Sequence, residues 1–410
     1  MTDLHSTHFL DTIKDVATFR AFGWVPDGIK TNNRLLNDSQ RPAYLLAMVQ
    51  RWLLFTLQTL MMLLAVGVVT LATQLRASSG FTGASLVTLM TFGDVLNYII
   101  RWFTQLETSI GAVTRLKNFS ENITPESLKG ETAIPSTEWP TQGGVQISGI
   151  SASYIGTSAG DESSLALKDL SLTILPGEKV AICGRSGSGK SSTILLLLRL
   201  LDPLSMCSED IMIDDIPLHH IDRSTLRERI IAIPQDPVFL PDGTSFMSNL
   251  DPFGRSTAEE CRSVLEIVGL WSIIEARQGL ESGMSVEMLS QGQKQLFSLA
   301  RAILRARIRA REIVSEFGTV AANKIRGILL LDEVSSSVDQ ETDRAMQRII
   351  LKEFACYTIV MVSHRLDMVM GFDTVVVMEK GSVVETGEPK ALVETQGSRF
   401  KELWSLGNKG

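Results

Sequence analysis

Leu53 to Leu75, LLFTLQTLMMLLAVGVVTLATQL, runs for 23 residues without a charged side chain. As a helix, such a run crosses the about 30 Å of bilayer hydrocarbon. At this length, a span is favoured over a buried core helix, and the rest of the chain must be arranged around a membrane. The first forty residues are polar and mixed, without the basic start, apolar stretch and small-residue cleavage site of a signal peptide. A second, weaker apolar segment runs from Phe81 to about Ile100 and is interrupted by Asp94. It is the natural return of a hairpin. Asp94 would either line a cavity or bundle interface, or lie near the membrane surface with little consequence.

Basic residues give the hairpin a direction. Arg41 and Arg51 precede the first span, Arg101, Arg115 and Lys117 follow the second, and only Arg76 lies on the connecting loop. This bias puts both ends in the cytosol. The sequons at Asn37, Asn118 and Asn122 would then be cytosolic and carry no glycan. Residues 122 to 143 are rich in Pro, Gly, Ser, Thr and Glu and read as a linker.

Beyond the linker, short apolar runs alternate with helical patterns: EKVAICG, KSSTILLLLRLL, then GILLLDE, YTIVMVS and TVVVME. That alternation predicts an α/β domain with a largely parallel sheet. Hydrophobic residues are 44% of the chain and charged ones 21%, which is enough for a sizeable core and excludes a disordered protein. The net charge of −7 leaves no electrostatic footprint for nucleic acid. The four cysteines form no CxxC pair, so a zinc site or secreted disulfide scaffold is not expected, and a reducing, cytosol-facing environment fits better.

Chemistry enters at Gly184-Arg185-Ser186-Gly187-Ser188-Gly189-Lys190-Ser191, followed by Ser192. The pattern is GxxxxGK plus a hydroxyl residue, between the apolar run Val180 to Cys183 and the helical stretch from Ser191 to Leu201, which is the context such a motif requires. Its glycines let backbone N–H groups wrap anionic oxygens at a helix N-terminus. Lys190 brings a point charge for the β- and γ-phosphates, and Ser191 a hydroxyl for Mg²⁺. Ile328 to Leu331 form an apolar strand ending in Asp332-Glu333. Beside a phosphate loop, Asp332 suits Mg²⁺ coordination and Glu333 is placed to orient or deprotonate a water. Gln235, His364 and Tyr154 are unremarkable alone: a loop residue, a strand-end histidine that is usually structural, and an aromatic that by default is core.

The residues that point to a family are Leu289-Ser290-Gln291-Gly292-Gln293, continued as KQLFSLARAILR. This segment resembles the signature motif of ATP-binding cassette (ABC) transporters. The set looks most like the second nucleotide-binding domain of the C subfamily, the multidrug-resistance-associated type, in its fungal form. The order is the family's throughout: phosphate loop, Gln235, signature, Asp332-Glu333, Ser336-Ser337-Val338-Asp339, His364. Residues 8 to 24 and 39 to 54, and the stretch from Ser85 to Glu121, are similar to the loop and last two helices that precede that domain.

The resemblance implies a transmembrane hairpin followed by an α/β P-loop NTPase domain of ABC type. Residues 1–44 would be a cytosolic loop segment, 45–121 a partial membrane domain with spans at about 53–75 and 81–100, 122–143 a linker, and 144–410 the nucleotide-binding domain. It implies that Tyr154 stacks on adenine, Gly184 to Ser192 hold the phosphates, and Ser191, Gln235 and Asp332 ligate Mg²⁺. Glu333 would be the general base, and His364 would contact the γ-phosphate. Leu289 to Gln293 would close over ATP held by a second nucleotide-binding domain, from another copy or another transporter chain. The expected protein is a multi-pass membrane protein of the plasma or vacuolar membrane that hydrolyses ATP to drive efflux of a small organic molecule, such as a secondary metabolite or drug.

Three features depart from the family. The spacing from Leu289 to Asp332 is longer than usual, and the extra stretch from Arg305 to Gly327 carries Arg305, Arg307, Arg309 and Arg311. It reads as a solvated surface loop, with a regulatory or lipid-contacting arm as the alternative. The segment ESGMSVEM before the signature lacks the usual glycine-bearing acidic motif, which puts its contact with a cytosolic coupling loop in doubt. Two spans cannot enclose a pathway, so the chain is expected to be a truncated exporter. The rival readings are a fragment that pairs with a full transporter and a P-loop ATPase or kinase without a transport role.

Overall fold

The computed structural model describes residues 2–75, 79–123, 125–127, 130–154, 165–204, 210–318, 326–334 and 340–407. The chain forms two compact units, residues 1–124 and 125–410. In the first unit, helices α1 (Thr2–Lys14) and α2 (Val16–Ala21) lead into α3 (Val25–Gln74) and α4 (Ser79–Asn122). Both long helices contain a window long and apolar enough to cross a membrane, and no residue of either window is buried. Phe55, Leu63, Met90 and Phe103 are each at least 60% exposed, an apolar surface that water would penalise and lipid would not.

Threonine hydroxyls along these helices are satisfied locally. The hydroxyls of Thr59, Thr70, Thr88 and Thr91 each donate to the carbonyl four residues back, at 2.8–2.9 Å. A backbone in hydrocarbon tolerates hydroxyls that bond in this way. Helix α3 is 50 residues long, about 75 Å. It therefore extends well beyond the expected span, and the expected boundary at residue 44 falls inside it. The first 44 residues are mostly helical, and Pro42 is accommodated within α3. Asp94 lines a cleft of about 290 Å³ between α3 and α4, with Gln58, Met61 and Asn97.

The second unit contains two sheets. Strands β1 (Val145–Ser153), β2 (Leu165–Ile174), β4 (Ile211–Ile213) and β5 (Ile216–Pro217) form an antiparallel sheet in the order β2-β1-β4-β5. The other strands are β3 (Lys179–Gly184), β6 (Ile231–Ile233), β7 (Ile328–Asp332), β8 (Thr358–Val362), β9 (Thr374–Glu379) and β10 (Ser382–Gly387). They form a sheet in the order β10-β9-β3-β8-β7-β6, parallel except at the β10 edge.

The apolar runs are continuous because the parallel strands are covered on both faces. Ala181, Cys183, Leu329, Leu331, Ile359 and Met361 face one buried cluster, and Val180, Ile182, Ile328, Leu330, Val360 and Val362 face the other. The helices of this unit are α5 (Lys190–Leu197), α6 (Arg223–Arg229), α7 (Phe246–Leu250), α8 (Ala258–Ile267), α9 (Trp271–Glu275), α10 (Gln291–Phe317) and α11 (Gln340–Glu353). Short helices from Leu366 to Val369 and at the C-terminal end follow.

The Arg-rich stretch differs from its expected form. From Arg305 to Phe317 it is not a solvated loop but the continuation of α10, with Ile308 and Ile313 buried in the protein. Residues 319–325 lie outside the described residues. Each of the four arginines has a protein partner. Arg305 donates to Arg227 O, Arg309 to Arg229 O at 2.8 Å and Glu138 O at 3.2 Å, while Arg307 pairs with Glu353 and Arg311 with Glu260. Arg309 is buried, and the four heads bind carbonyls and carboxylates, a use that charge counting in sequence does not separate from solvation.

The linker segment likewise packs against the domain from Glu131 onward: Glu131 and Trp139 are buried, and Trp139 Nε1 donates to Ile213 O at 3.2 Å. Replacing Arg309 by Met removes donors from carbonyls at 229 and 138. We expect a loss of about 1–3 kcal/mol, read as a lower denaturant midpoint of the nucleotide domain.

Candidate functional site

The order β3-β8-β7-β6 brings four separated segments to the carboxyl edge of one sheet, where ligands bind in open α/β folds. The phosphate loop leaves β3, His364 follows β8, Asp332-Glu333 ends β7, and Gln235 follows β6. The loop turns through glycines at φ 155° (Gly184), 78° (Gly187) and 99° (Gly189), then opens α5 at Lys190. A Cβ at Gly184 would lie 2.4 Å from Met378 O, and one at Gly189 would lie 2.9 Å from Ala166 O. The fold therefore leaves no room for a side chain at either position, and the loop amides stay open to an anion. Lys190 is buried, and its Nζ donates to Gly184 O and Arg185 O, each at 3.1 Å. Burial lowers its pKa, against the opposing pull of Glu333, Cys183 and Asp332. Cys183, beneath the loop, is pushed up to about 12 by burial and is inert as a thiolate.

Ser191 Oγ donates to Asp332 Oδ1 at 2.9 Å across 141 residues of sequence. A hydroxyl and a carboxylate in contact, next to a phosphate cradle, are the hard oxygen donors that Mg²⁺ takes. The donor set fits that ion. Asp332 has its pKa raised, first by burial and then by Glu333, against the Ser191 hydrogen bond and Lys190. Its ionised form is therefore disfavoured in the native state. That cost is present at neutral pH and is relieved as pH falls through the raised pKa. Accordingly, Asp332→Asn should raise the melting temperature of the nucleotide-free protein at pH 7, and the gain should shrink as pH approaches the carboxylate range.

Glu333 has φ 45°, a left-handed conformation that is unfavourable for a residue with a Cβ, and its amide donates to Val362 O at 3.1 Å. Its Oε1 lies 2.7 Å from His364 Nε2. The structure thus joins the two residues through the neighbouring strands β7 and β8. Gln235 is exposed, and its carbonyl accepts from Gln295 Nε2 at 2.6 Å, tying the loop to α10. Gln295 was not among the sequence candidates. As a buried glutamine on an apolar helix face it carried a signal, but the pattern names no partner.

Tyr154 is not core. It is 50% exposed, and its hydroxyl lies 3.0 Å from Ser192 Oγ, which puts an aromatic face beside the loop. Arg185 and Ser186 are exposed at the loop's rim, and Ser188 is buried. Leu289 is buried, whereas Ser290 is the exposed N-cap of α10 and exchanges hydrogen bonds with Gln293 in a capping box. Gln291 and Gly292 lie in the first turn. Among the described residues, no hydrogen bond joins Leu289–Gln293 to the phosphate loop. Ser336–Asp339 lie outside the described residues.

The chain is similar to known proteins along nearly its whole length. The ABC transporter family profile matches residues 167–308. The ABC-type transporter braE of Annulohypoxylon truncatum is 54% identical over 419 aligned residues, covering 98% of this chain and 28% of that protein. The ABC transporter FGM5 of Gibberella zeae is 55% identical, covering 98% of this chain and 27% of that protein. The chain thus spans less than a third of the length of these curated relatives. Among solved structures, a bacterial Atm1-family ABC exporter with ATP bound superposes with a TM-score of 0.76 at 21% identity, over 97% of this chain and 66% of that one. At that identity the likeness concerns the fold. This chain therefore carries an ABC transporter domain, an α/β P-loop nucleotide-binding unit that follows two helices long and apolar enough to span a membrane.

Proposed function

We propose that this chain supplies an ATP-hydrolysing site to an exporter of the C subfamily, multidrug-resistance-associated type, and corresponds to its last two spans and second nucleotide-binding domain. The observation that carries the reading is the meeting of Ser191 with Asp332 and of Glu333 with His364 beside the phosphate loop. The loop amides and Lys190 hold the β- and γ-phosphates, and Tyr154 stacks on the adenine. Ser191, Asp332 and Gln235 hold Mg²⁺, which when bound offsets the phosphate charge. Glu333 accepts a proton as water attacks the γ-phosphorus and the bond to the ADP oxygen breaks. His364 holds the Glu333 carboxylate and reaches toward the γ-phosphate. The cargo is a small organic molecule, a secondary metabolite or drug. In support, a 37% identical relative from Aspergillus fumigatus is named ABC multidrug transporter B.

The signature segment faces away from its own phosphate loop in this reading and closes over nucleotide on a second copy or another transporter chain. An exposed serine and a half-buried glycine at the N-terminus of a 27-residue helix suit that anion. The site would work in the plasma or vacuolar membrane with its nucleotide domain in the cytosol. The test is nucleotide affinity. Lys190→Ala removes a charge-assisted donor, so Mg-ATP should bind about 10- to 100-fold more weakly, measured by fluorescent nucleotide titration. Unchanged affinity would remove Lys190, and with it this account of the phosphate site.

A further inference from the structure

The ring of His364 reaches Glu333, but nothing in that pair explains what holds the backbone of His364 in place. Ser363, just before it, donates its amide to Ile182 O at 3.2 Å, and this ties it to β3. Arg365, just after it, is held twice. Ser363 Oγ accepts from Arg365 N and donates to Arg365 O, each at 3.0 Å. The Arg365 guanidinium then reaches across to α11, where Nη1 donates to Asp343 Oδ2 at 2.8 Å. Asp343 is 3% exposed, in the first turn of α11.

A carboxylate that deeply buried is costly without a cationic partner, and the pairing fixes where Arg365 can sit. The pair ties α11 to the turn after β8, through Arg365 and Asp343. It uses the residue next to His364. We propose that Asp343 is a positioning residue, which acts through Arg365 to hold His364 against Glu333. The inference rests on the ATPase reading for its consequence in turnover, but its geometric content stands apart from it.

The full chain, in lipid nanodiscs and with ¹⁵N-labelled imidazoles, tests this directly. It has five histidines, and a His364→Gln sample assigns the signal of interest. Glu333→Gln gives the Nε2 position of a His364 that has lost its carboxylate. In Asp343→Asn and in Arg365→Gln, the Nε2 signal should move toward that position, while Arg365→Lys, which keeps the charge, should stay near the parent. Turnover should fall about 10- to 100-fold in the first two variants, the cost of a small misplacement near the chemistry. KM for ATP should hold within about threefold, since Lys190, the loop amides and the Ser191–Asp332 pair are untouched.

A parental His364 signal in folded Asp343→Asn and Arg365→Gln overturns the proposal, because a purely structural role moves stability alone. If Asp343→Asn fails to fold, Arg365→Gln decides by itself, since the Arg365 side chain is 31% exposed. A parent chain that hydrolyses no ATP removes the ATPase reading, and the His364 signal still decides the positioning.

Discussion

Glu333→Gln should lower ATP hydrolysis by about 10²- to 10⁴-fold, the usual contribution of a general base. Glutamine keeps the size and the hydrogen-bonding reach toward His364 but cannot take a proton from water. Mg-ATP binding should survive, because Lys190, the loop amides and the Ser191–Asp332 pair are untouched. Bound but unhydrolysed nucleotide should also reveal assembly: light scattering at saturating Mg-ATP should show a dimer for this variant and a smaller species without nucleotide. Phosphate release measured beside nucleotide binding checks both halves. Hydrolysis at the parental rate would show that Glu333 is not the base.

Glu131→Ala should destabilise the nucleotide domain by about 3 kcal/mol or more, because it strands two buried arginines. Glu131 Oε1 and Oε2 accept from Arg199 Nη2 at 2.5 Å and Arg223 Nε at 2.9 Å, with all three side chains at most 5% exposed. Burial works against the Arg223 charge, but Glu131 and Asp202 outweigh it and raise its pKa. Asp202, 41% exposed, also meets both arginines and keeps part of the compensation, which places the effect toward the lower end of the range for broken buried pairs. Thermal melting of the full chain should show the shift, and residues 131–140 should become sensitive to protease. A variant that melts with the parent would mean that the segment contributes nothing to the domain's stability.

These two residues differ in how far the sequence announced them. Glu333 follows a four-residue apolar run and Asp332, and the GxxxxGK pattern from Gly184 to Lys190 gives such a pair its meaning. Glu131 stands in a stretch of Pro, Gly, Ser and Thr, a composition that marks a linker and cannot show where a single carboxylate docks. The same limit explains the Arg-rich stretch. Arg305, Arg307, Arg309 and Arg311 alternate with Ala and Ile, and their charge argued for solvent. In the fold, Ile308 and Ile313 are buried, the Arg305 and Arg309 guanidinium groups find carbonyls on α6 and on the segment before β1, and Arg307 and Arg311 find carboxylates.

By itself, the sequence determined that the chain carries two segments long enough to span a bilayer and a parallel α/β domain with a phosphate loop. Those features are local: an uncharged run of sufficient length, period and alternation, and glycines at fixed offsets act within a few residues of themselves. Tertiary structure alone decided which distant side chains meet. Strand order put β8 between β3 and β7, and only that order sets His364 against Glu333 and Ser191 against Asp332. It also decided that a charged helix and a polar linker close over the core, because a buried charge is stable only where the fold has brought its partner.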